Sequence, residues 1–292
     1  MFRPSRNFKV PQVSGGQWKN HQTFMRWDPA SKRLVQVNCC LPSVAVSPTG
    51  SQSWTFTARE SSREWYGIAS SADGTKLAAV EYGGQIYTST DSGVTWTPRE
   101  SNRQWYAITS SSDGTKLAAC AQTDQLYTST DSGVSWTPRD SNRDWTFITS
   151  SSDGTKLAAC ANLDQIYIST NSGVSWSPTA SYNNWIGIAS SADGTKLAAC
   201  ALYNQIYTST DSGISWTPRE SNRQWYAIAS SADGTKLVAC PFNDQLYTSN
   251  DSGVSWTPVE SVRTWFVVAS SADGTKIAAG TFKDQIYTGV YA

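Results

Sequence analysis

A unit of about 40 residues that recurs along the chain constrains the fold more than any other feature of the sequence. One copy spans residues 105–140, and near copies begin at Trp65, Trp145, Trp185, Trp225 and Trp265. A unit of this size cannot bury its own hydrophobic surface, so neighbouring copies must pack against one another. The chain is therefore predicted to fold as an array of similar structural units.

Each unit contains four short β-like runs that are separated by turn signals. In the copy that begins at Trp105, the runs are residues 105–109, 116–120, 125–129 and 134–137. The dipeptide Asp113-Gly114 lies between the first two runs and is a strong hairpin signal. No helical periodicity occurs, and four strands in about 40 residues are typical of one blade of a β-propeller.

The N-terminal region retains fragments of the same pattern. Residues 14–19, which include Trp18, align with a fourth strand, residues 24–37 resemble a first and second strand, and residues 50–54 resemble a later turn. The last unit ends before its own fourth strand. We therefore predict an all-β fold in residues 14–292: a seven-bladed β-propeller of four-stranded antiparallel blades. The strand around Trp18 is predicted to join the C-terminal blade and close the ring, which removes exposed strand edges.

A second motif supports this fold. Residues 129–136 match the pattern Ser-x-Asp-x-Gly-x-x-Trp, which recurs at Ser89, Ser209 and Ser249, and at Ser169 with Asn171 in place of aspartate. Over residues 14–292 the chain resembles the Asp-box (BNR-repeat) β-propeller family, which includes sialidases, sortilin-type receptors, photosystem assembly factors and lectins. The resemblance implies the fold and leaves the function open. We interpret the aspartate as a hydrogen-bond acceptor within a turn, because asparagine replaces it once.

The sequence favours a non-catalytic chain without a cofactor or bound metal. The sialidase-like members use arginines, a Tyr–Glu pair and an aspartate that each occur once, whereas the arginines of this chain share repeated positions. His21 is the only histidine, and the sequence contains no Cys-x-x-Cys pair, nucleophile elbow or phosphate-binding loop. A sialidase-like hydrolase is the less favoured alternative.

The composition bears on partners and location. The formal net charge is +0, which predicts no binding to nucleic acid. No apolar run is long enough for a signal peptide or a membrane span, so we expect synthesis in the cytoplasm, without excluding display on a particle surface. Four of the six cysteines recur at one repeat position, which indicates packed, reduced thiols.

Variation between the units is concentrated in two segments, the loop after the second strand and the connection between blades. Both are expected on one face of a propeller, where loops on a rigid scaffold often bind ligands. These segments combine aromatic side chains with Asn, Asp and Arg, a mixture that suits sugars. The predicted ligand-binding residues are Asn102, Arg103, Trp105, Tyr106, Arg143, Trp145, Tyr182, Trp185, Tyr203, Asn222, Arg223, Trp225, Phe242, Arg263, Trp265 and Phe282.

Two functional hypotheses follow from this surface. The first is a lectin-like module that binds glycans at several equivalent sites, since similar blades repeat the same groups. The second is a structural or protein-interaction component of a larger assembly, such as a virion or a surface complex, in which the N-terminal arm (residues 1–13) docks on a neighbouring protein. Neutral drift of solvent-exposed loops is the alternative to both.

Overall fold

The computed structural model describes residues 57–282 and 285–291, together with the backbone of two strands at residues 24–28 and 33–37. All the regular elements in these residues are β-strands. The described part of the chain therefore contains no helix that is long and apolar enough to cross a membrane. The N-terminal arm, the vicinal Cys39 and Cys40, and the predicted closing strand around Trp18 lie outside the described residues.

The strands follow the repeat. They are β1 (Phe24–Asp28), β2 (Arg33–Val37), β3 (Trp65–Ser70), β4 (Leu77–Glu81), β5 (Ile86–Ser89), β6 (Thr97–Arg99), β7 (Trp105–Ser110), β8 (Leu117–Ser129), β9 (Thr137–Ser150), β10 (Leu157–Ala161), β11 (Asp164–Ser169) and β12 (Ser177–Asn183). The remainder are β13 (Trp185–Ser190), β14 (Leu197–Asn204), β15 (Ile206–Ser209), β16 (Thr217–Pro218), β17 (Arg223–Ser230), β18 (Leu237–Pro241), β19 (Asp244–Ser249), β20 (Thr257–Arg263), β21 (Trp265–Ser270), β22 (Lys276–Thr281) and β23 (Ile286–Val290).

Each repeat folds as an antiparallel sheet, as predicted. β3, β4, β5 and β6 form a four-stranded sheet in sequence order. In the next repeat the loop between the second and third runs continues as strand, so that both runs belong to β8. The reason is that the connection to the following sheet pairs with this loop, with Gln122 opposite Asp144 and Asp124 opposite Arg143. The sheets are therefore joined at the loop that the sequence had left irregular.

The second strand of each sheet lies in the core. Residues 117–121 are all buried, and so are residues 157–161. Continuous burial requires cover on both sides of the sheet, which the neighbouring sheets provide. The four repeated cysteines are fully buried with free thiols, and burial raises the pKa of Cys160 to about 12. These thiols are therefore packing groups that stay protonated at neutral pH.

The sheets are arranged around a common axis with their first strands innermost. The first strands of consecutive repeats contact one another, as β3 contacts β7 and β17 contacts β21. A chain of backbone hydrogen bonds runs through the turn after each first strand, from Ala72 N to Ser112 O (2.6 Å) and from Ser112 N to Ser152 O (2.7 Å), and onward through Ala192, Ala232 and Ala272. β2 contacts both β3 and β21. The number of blades and the closing strand stay predictions.

The two faces of the sheet array carry different segments of the repeat. The Asp-Gly-Thr-Lys turn and the Ser-x-Asp-x-Gly turn of one sheet meet on the same face, where Ser132 N donates to Thr115 O at 2.9 Å. We call this the turn face. The opposite loop face carries the loop after each second strand and the connections between sheets.

Among the described residues, the last sheet ends at a strand with apolar side chains. β21, β22 and β23 form three described strands, and Ile286 on β23 is 72% exposed. The equivalent Ile166 and Ile206 are 0% exposed, because a fourth strand lies beside each of them. A fourth strand beside β23 would cover Ile286 in the same way, which is the role predicted for residues 14–19.

Candidate binding face

The repeated aspartates of the turn face serve the turns themselves. Asp211 Oδ1 accepts hydrogen bonds from Ser209 Oγ (2.7 Å) and Ser215 N (3.0 Å), and the Ser215 hydroxyl donates to the other carboxylate oxygen. These bonds, that of the Ser215 hydroxyl first, lower the pKa of Asp211 to about 2. Gly213 supplies the positive φ of 84° that the turn requires. The carboxylate is thus engaged in holding the turn.

Asn171 occupies the same position and makes the same acceptor bonds. Its Oδ1 accepts from Ser175 N at 3.0 Å and from Ser169 Oγ at 2.9 Å. A negative charge is therefore not needed to form this turn, in agreement with the structural interpretation of the motif.

Trp65, which begins β3, is half-buried, whereas the other described tryptophans that begin first strands lie in the core. They are 0% exposed, and each packs edge-on against a tyrosine of the third strand, as Trp185 does against Tyr207 with ring centroids 5.1 Å apart. The expectation that these indoles contact a ligand is corrected here, because the neighbouring sheets cover them completely. The residues concerned are Trp105, Trp145, Trp185, Trp225 and Trp265.

The repeated arginines form ion pairs within the chain. Arg103 Nη1 donates to Asp124 Oδ2 at 2.7 Å, and the guanidinium carbon lies 4.5 Å from the ring centroid of Tyr127. Arg143 and Arg223 make the same two contacts, to Asp164 and Tyr167 and to Asp244 and Tyr247 respectively. Arg263 lies over Tyr287 at 4.3 Å and 3.9 Å from Glu260. The guanidinium groups of Arg103, Arg143 and Arg223 thus clamp a connection to the loop that follows it.

Two repeats change this clamp: one replaces both partners, and the other replaces only the aspartate. Where Asn183 takes the place of arginine, Asn204 takes the place of aspartate, and Asn204 Nδ2 donates to Asn183 Oδ1 at 3.0 Å. Where Gly84 takes the place of aspartate, Arg63 instead pairs with Glu81 at 3.2 Å. The repeats keep a side-chain bond between these two segments, whereas the charge of its partners varies. This pattern indicates a structural contact.

We expect the clamp to be interchangeable between its ionic and amide forms. Arg223→Asn should lower the free energy of unfolding by about 1 kcal/mol, because it leaves the half-buried Asp244 carboxylate without its cation. Adding Asp244→Asn should recover most of that loss by reproducing the Asn183–Asn204 pair. Urea unfolding of the two single variants and the double variant measures the coupling; additive losses would contradict a clamp.

The other predicted site residues remain at the surface. Asn102 and Asn222 are exposed, and Tyr106, Phe242 and Phe282 are half-buried. Tyr182 and Tyr203 are 71% and 69% exposed, and Gln224 Nε2 donates to the Tyr203 hydroxyl at 3.1 Å.

The tips of the loops adopt a left-handed backbone conformation. Among the loop tips that the structure describes, glycine occurs only at Gly83, whereas Thr123, Leu163, Tyr203 and Asn243 have φ values of 56°, 52°, 60° and 53°. Such conformations cost free energy for residues other than glycine, so the scaffold holds these tips in fixed positions.

Most residues at the innermost part of the loop face were not among the ligand-binding residues predicted from the sequence. In each repeat the residue after the buried tryptophan sits in a β-bulge, since Trp105 pairs with Ala121 while the next pair is Ala107 with Cys120. A bulge re-aims its extra side chain. We define the inner rim by three positions in each repeat. The first is the bulge residue and the second is the residue before the tryptophan. The third is the loop residue whose N–H donates to the carbonyl oxygen of the second, as Gln122 N does to Gln104 O at 2.8 Å.

The inner rim differs from repeat to repeat. Its bulge positions hold Tyr66, Tyr106, Thr146, Ile186, Tyr226 and Phe266, and its loop positions hold Tyr82, Gln122, Asn162, Leu202, Phe242 and Phe282. The positions before the tryptophans hold Glu64, Gln104, Asp144, Asn184, Gln224 and Thr264. The sequence does indicate this site, because the residue after each repeated tryptophan varies between repeats while the tryptophan does not.

Aromatic side chains gather in two clusters on the inner rim. Tyr66 stacks on Tyr82 with ring centroids 4.7 Å apart and contacts Tyr106 edge-on at 5.2 Å. The second cluster joins Tyr226, Phe242, Phe266 and Phe282 through centroid distances between 4.7 and 5.7 Å. Between these clusters lie the non-aromatic rim positions of the repeats that begin at Trp145 and Trp185. The inner rim is therefore asymmetric on a nearly symmetric scaffold.

Comparisons with solved structures establish the class of fold. A structure of YCF48 bound to D1 peptide matches with a TM-score of 0.63 and 14% identity over 86% of this chain and 85% of that chain. A chain of a mitotic checkpoint complex matches with a TM-score of 0.66 and 13% identity over 93% and 82%. The fold is a β-propeller. No family model and no curated protein matches the sequence.

Two glycoside hydrolase structures are also similar. The GH74 xyloglucanase from Xanthomonas campestris matches with a TM-score of 0.63 and 16% identity over 77% of this propeller. A GH74 enzyme from Niastella koreensis matches with a TM-score of 0.61 and 20% identity over 94% of it. The propeller spans 44% and 43% of those two chains. Likeness at these identities concerns the fold alone.

Proposed function

We propose that this propeller is a non-catalytic recognition module that binds a protein partner through the inner rim of its loop face. The observation that carries the proposal is the asymmetry of the inner rim. Side chains there change from repeat to repeat, while the tryptophans and both turns of the turn face recur. A partner that contacts several blades at once meets a different side chain on each of them, so one-off residues can specify it.

The repeated groups are less suited to form several equivalent ligand sites. The tryptophans are fully buried, and three of the predicted arginines pair with the aspartate of the following loop. Binding a sugar through them would require breaking the clamp. This favours one composite site over multivalent glycan binding. The non-catalytic part of the proposal rests on the same point, since the repeated arginines and turn aspartates already have internal partners.

The similar structures are compatible with this proposal. One of them is described as bound to a peptide and another as part of a checkpoint complex. Docking of the N-terminal arm on a neighbour, within a virion or a surface complex, belongs to the same class of function and stays a prediction.

Glycan binding is a second candidate at one particular place. Tyr182 and Tyr203 expose most of their rings, and they precede Asn183 and Asn204, which are joined by an amide hydrogen bond. Exposed aromatic faces beside planar amides can stack on a sugar and bond to its hydroxyls. This patch occurs in one repeat, so it would form a single site.

A displayed peptide library and a glycan array, screened in parallel, test the two candidates. We expect peptides to be enriched on the wild-type chain and to bind at least about tenfold more weakly when Tyr106 and Phe242 are both changed to serine. Val134→Ser is the matched control, because Val134 is 60% exposed on the turn face. Peptide binding that survives the inner-rim changes, or binding only to glycans that Tyr203→Ala abolishes, would contradict the proposal.

A further inference from the structure

One arc of the inner rim combines tyrosine rings with an acidic side chain. Tyr82 contacts Tyr66 and Tyr106, and its hydroxyl donates to Gln122 Oε1 at 3.4 Å. Gln122 is paired in the strand register with Asp144. Asp144 Oδ2 in turn accepts a hydrogen bond from Asn162 Nδ2 at 3.0 Å. We call the connected residues Tyr66, Tyr82, Tyr106, Gln122, Asp144 and Asn162 the acidic arc.

The charge of the inner rim is negative in the repeats that the structure describes. Glu64 and Asp144 are its acidic residues, and none of its three positions carries lysine or arginine in those repeats. The nearest arginine in sequence, Arg143, pairs with Asp140 and Asp164 and lies over Tyr167. The Asp144 carboxylate thus has no cation among its observed contacts, and its Oδ1 is buried without a hydrogen-bond partner.

The Asp144 side chain as a whole is half-buried, and a carboxylate that accepts a hydrogen bond from Asn162 can accept further bonds from a charged donor. Tyrosine faces attract cations through the quadrupole of the ring. The guanidinium group satisfies both requirements, because its planar fork bonds carboxylates and its face stacks on aromatic rings.

The propeller already holds arginine in this way. At three of the clamps a guanidinium bonds an aspartate and lies over a tyrosine, as Arg103 does with Asp124 and Tyr127. The acidic arc offers the same two chemical groups, a carboxylate and tyrosine rings, at the innermost part of the loop face and without an internal arginine.

We propose that the acidic arc binds an arginine side chain of the protein partner, with Asp144 as the counter-ion and Tyr82 and Tyr106 as the aromatic surface. The inference rests on the proposed function and deepens it by naming the group that is recognised. The half-buried residues of the second aromatic cluster, Tyr226, Phe242 and Phe282, would contact the apolar part of the same partner.

The test uses N-acetyl-arginine amide and N-acetyl-citrulline amide, which have nearly the same shape and differ in charge. Both are titrated into the full chain at about 0.15 M salt, where long-range electrostatic attraction is largely screened, and binding is followed by NMR. We expect the arginine probe to bind at least about tenfold more tightly than the citrulline probe. Asp144→Asn should abolish that preference, and Tyr106→Leu should weaken arginine binding.

The matched control is Glu260→Gln, which removes one negative charge from the same face at a carboxylate that is 45% exposed. Glu260→Gln should leave the preference for the arginine probe unchanged. Thermal unfolding of each variant verifies that the variant is folded. Equal binding of both probes, or a preference that survives Asp144→Asn, would overturn the inference. Library peptides that bind the inner rim without arginine would overturn it while leaving the proposed function intact. Arginine-amide binding without any enriched peptide would instead count against a protein partner.

Discussion

Replacing Trp185 by alanine is expected to lower the free energy of unfolding by about 3–5 kcal/mol, among the largest effects of any single change in this chain. Trp185 is 0% exposed, packs edge-on against Tyr207, and donates from Nε1 to Ser181 O at 3.3 Å. Burying an indole removes roughly 200 Å² from water, on the order of 5 kcal/mol as an upper estimate. The truncated side chain would leave a cavity between two blades that the rigid sheets can fill only in part.

Trp216 is the matched control for this prediction. It belongs to the second set of repeated tryptophans, is half-buried, and donates from Nε1 to Gly213 O at 3.0 Å on the turn face. Trp216→Ala should therefore destabilise the chain clearly less than Trp185→Ala. Urea unfolding followed by circular dichroism measures both. Equal losses for the two variants would mean that the first tryptophans do not dominate the packing between blades.

The fold was predictable because its signals are local and repeated. The Asp113-Gly114 hairpin, the continuously apolar residues 117–120 and the Ser-x-Asp-x-Gly turn each determine a feature within a few residues, and the repeat copies it along the chain. The pairing of residues 121–124 with the next connection was not predictable. It joins segments of adjacent blades, such as Asp124 and Arg143, whose register depends on how the blades stack.

The site was predicted in part, and the errors have a common cause. The sequence correctly separates a variable face from an invariant one, but it does not show which side of a strand each aromatic residue occupies. Trp105 and Tyr106 are neighbours in sequence, and the bulge at this point sends the tryptophan into the core and leaves the tyrosine partly exposed. A strict alternation of faces cannot be assumed at a bulge, so Thr146, Ile186 and Tyr226 were overlooked.

The propeller is expected to lose stability steeply in acid, between about pH 4 and pH 2. In the turn after the first strand, bonds from Ser111 and then from Thr115 lower the pKa of Asp113 to about 2. In the second turn, the Thr95 hydroxyl and then the Thr95 N–H lower the pKa of Asp91 to about 2. The same arrangement recurs through the described blades, so the contributions act together.

The direction of this effect follows from proton binding. Because the carboxylates have a lower pKa in the folded chain than in the unfolded chain, the unfolded chain takes up protons first as the pH falls. Their stabilisation is fully present above the unfolded pKa, near pH 4, and is lost as the pH passes down toward the folded pKa, near pH 2. The melting temperature, recorded by circular dichroism from pH 7 to pH 2, should therefore be nearly flat at first and then fall.

Asn171 provides the variants that test whether the turns cause this loss. Changing Asp91, Asp131, Asp211 and Asp251 together to asparagine should keep the acceptor bonds that Asn171 makes and should flatten the acid limb of the melting curve. The reverse change, Asn171→Asp, should steepen that limb while altering the melting temperature little at pH 7. If both variants follow the wild-type pH profile, the acid sensitivity arises elsewhere, in the ion pairs of the loop face, and the turns hold their geometry without regard to charge.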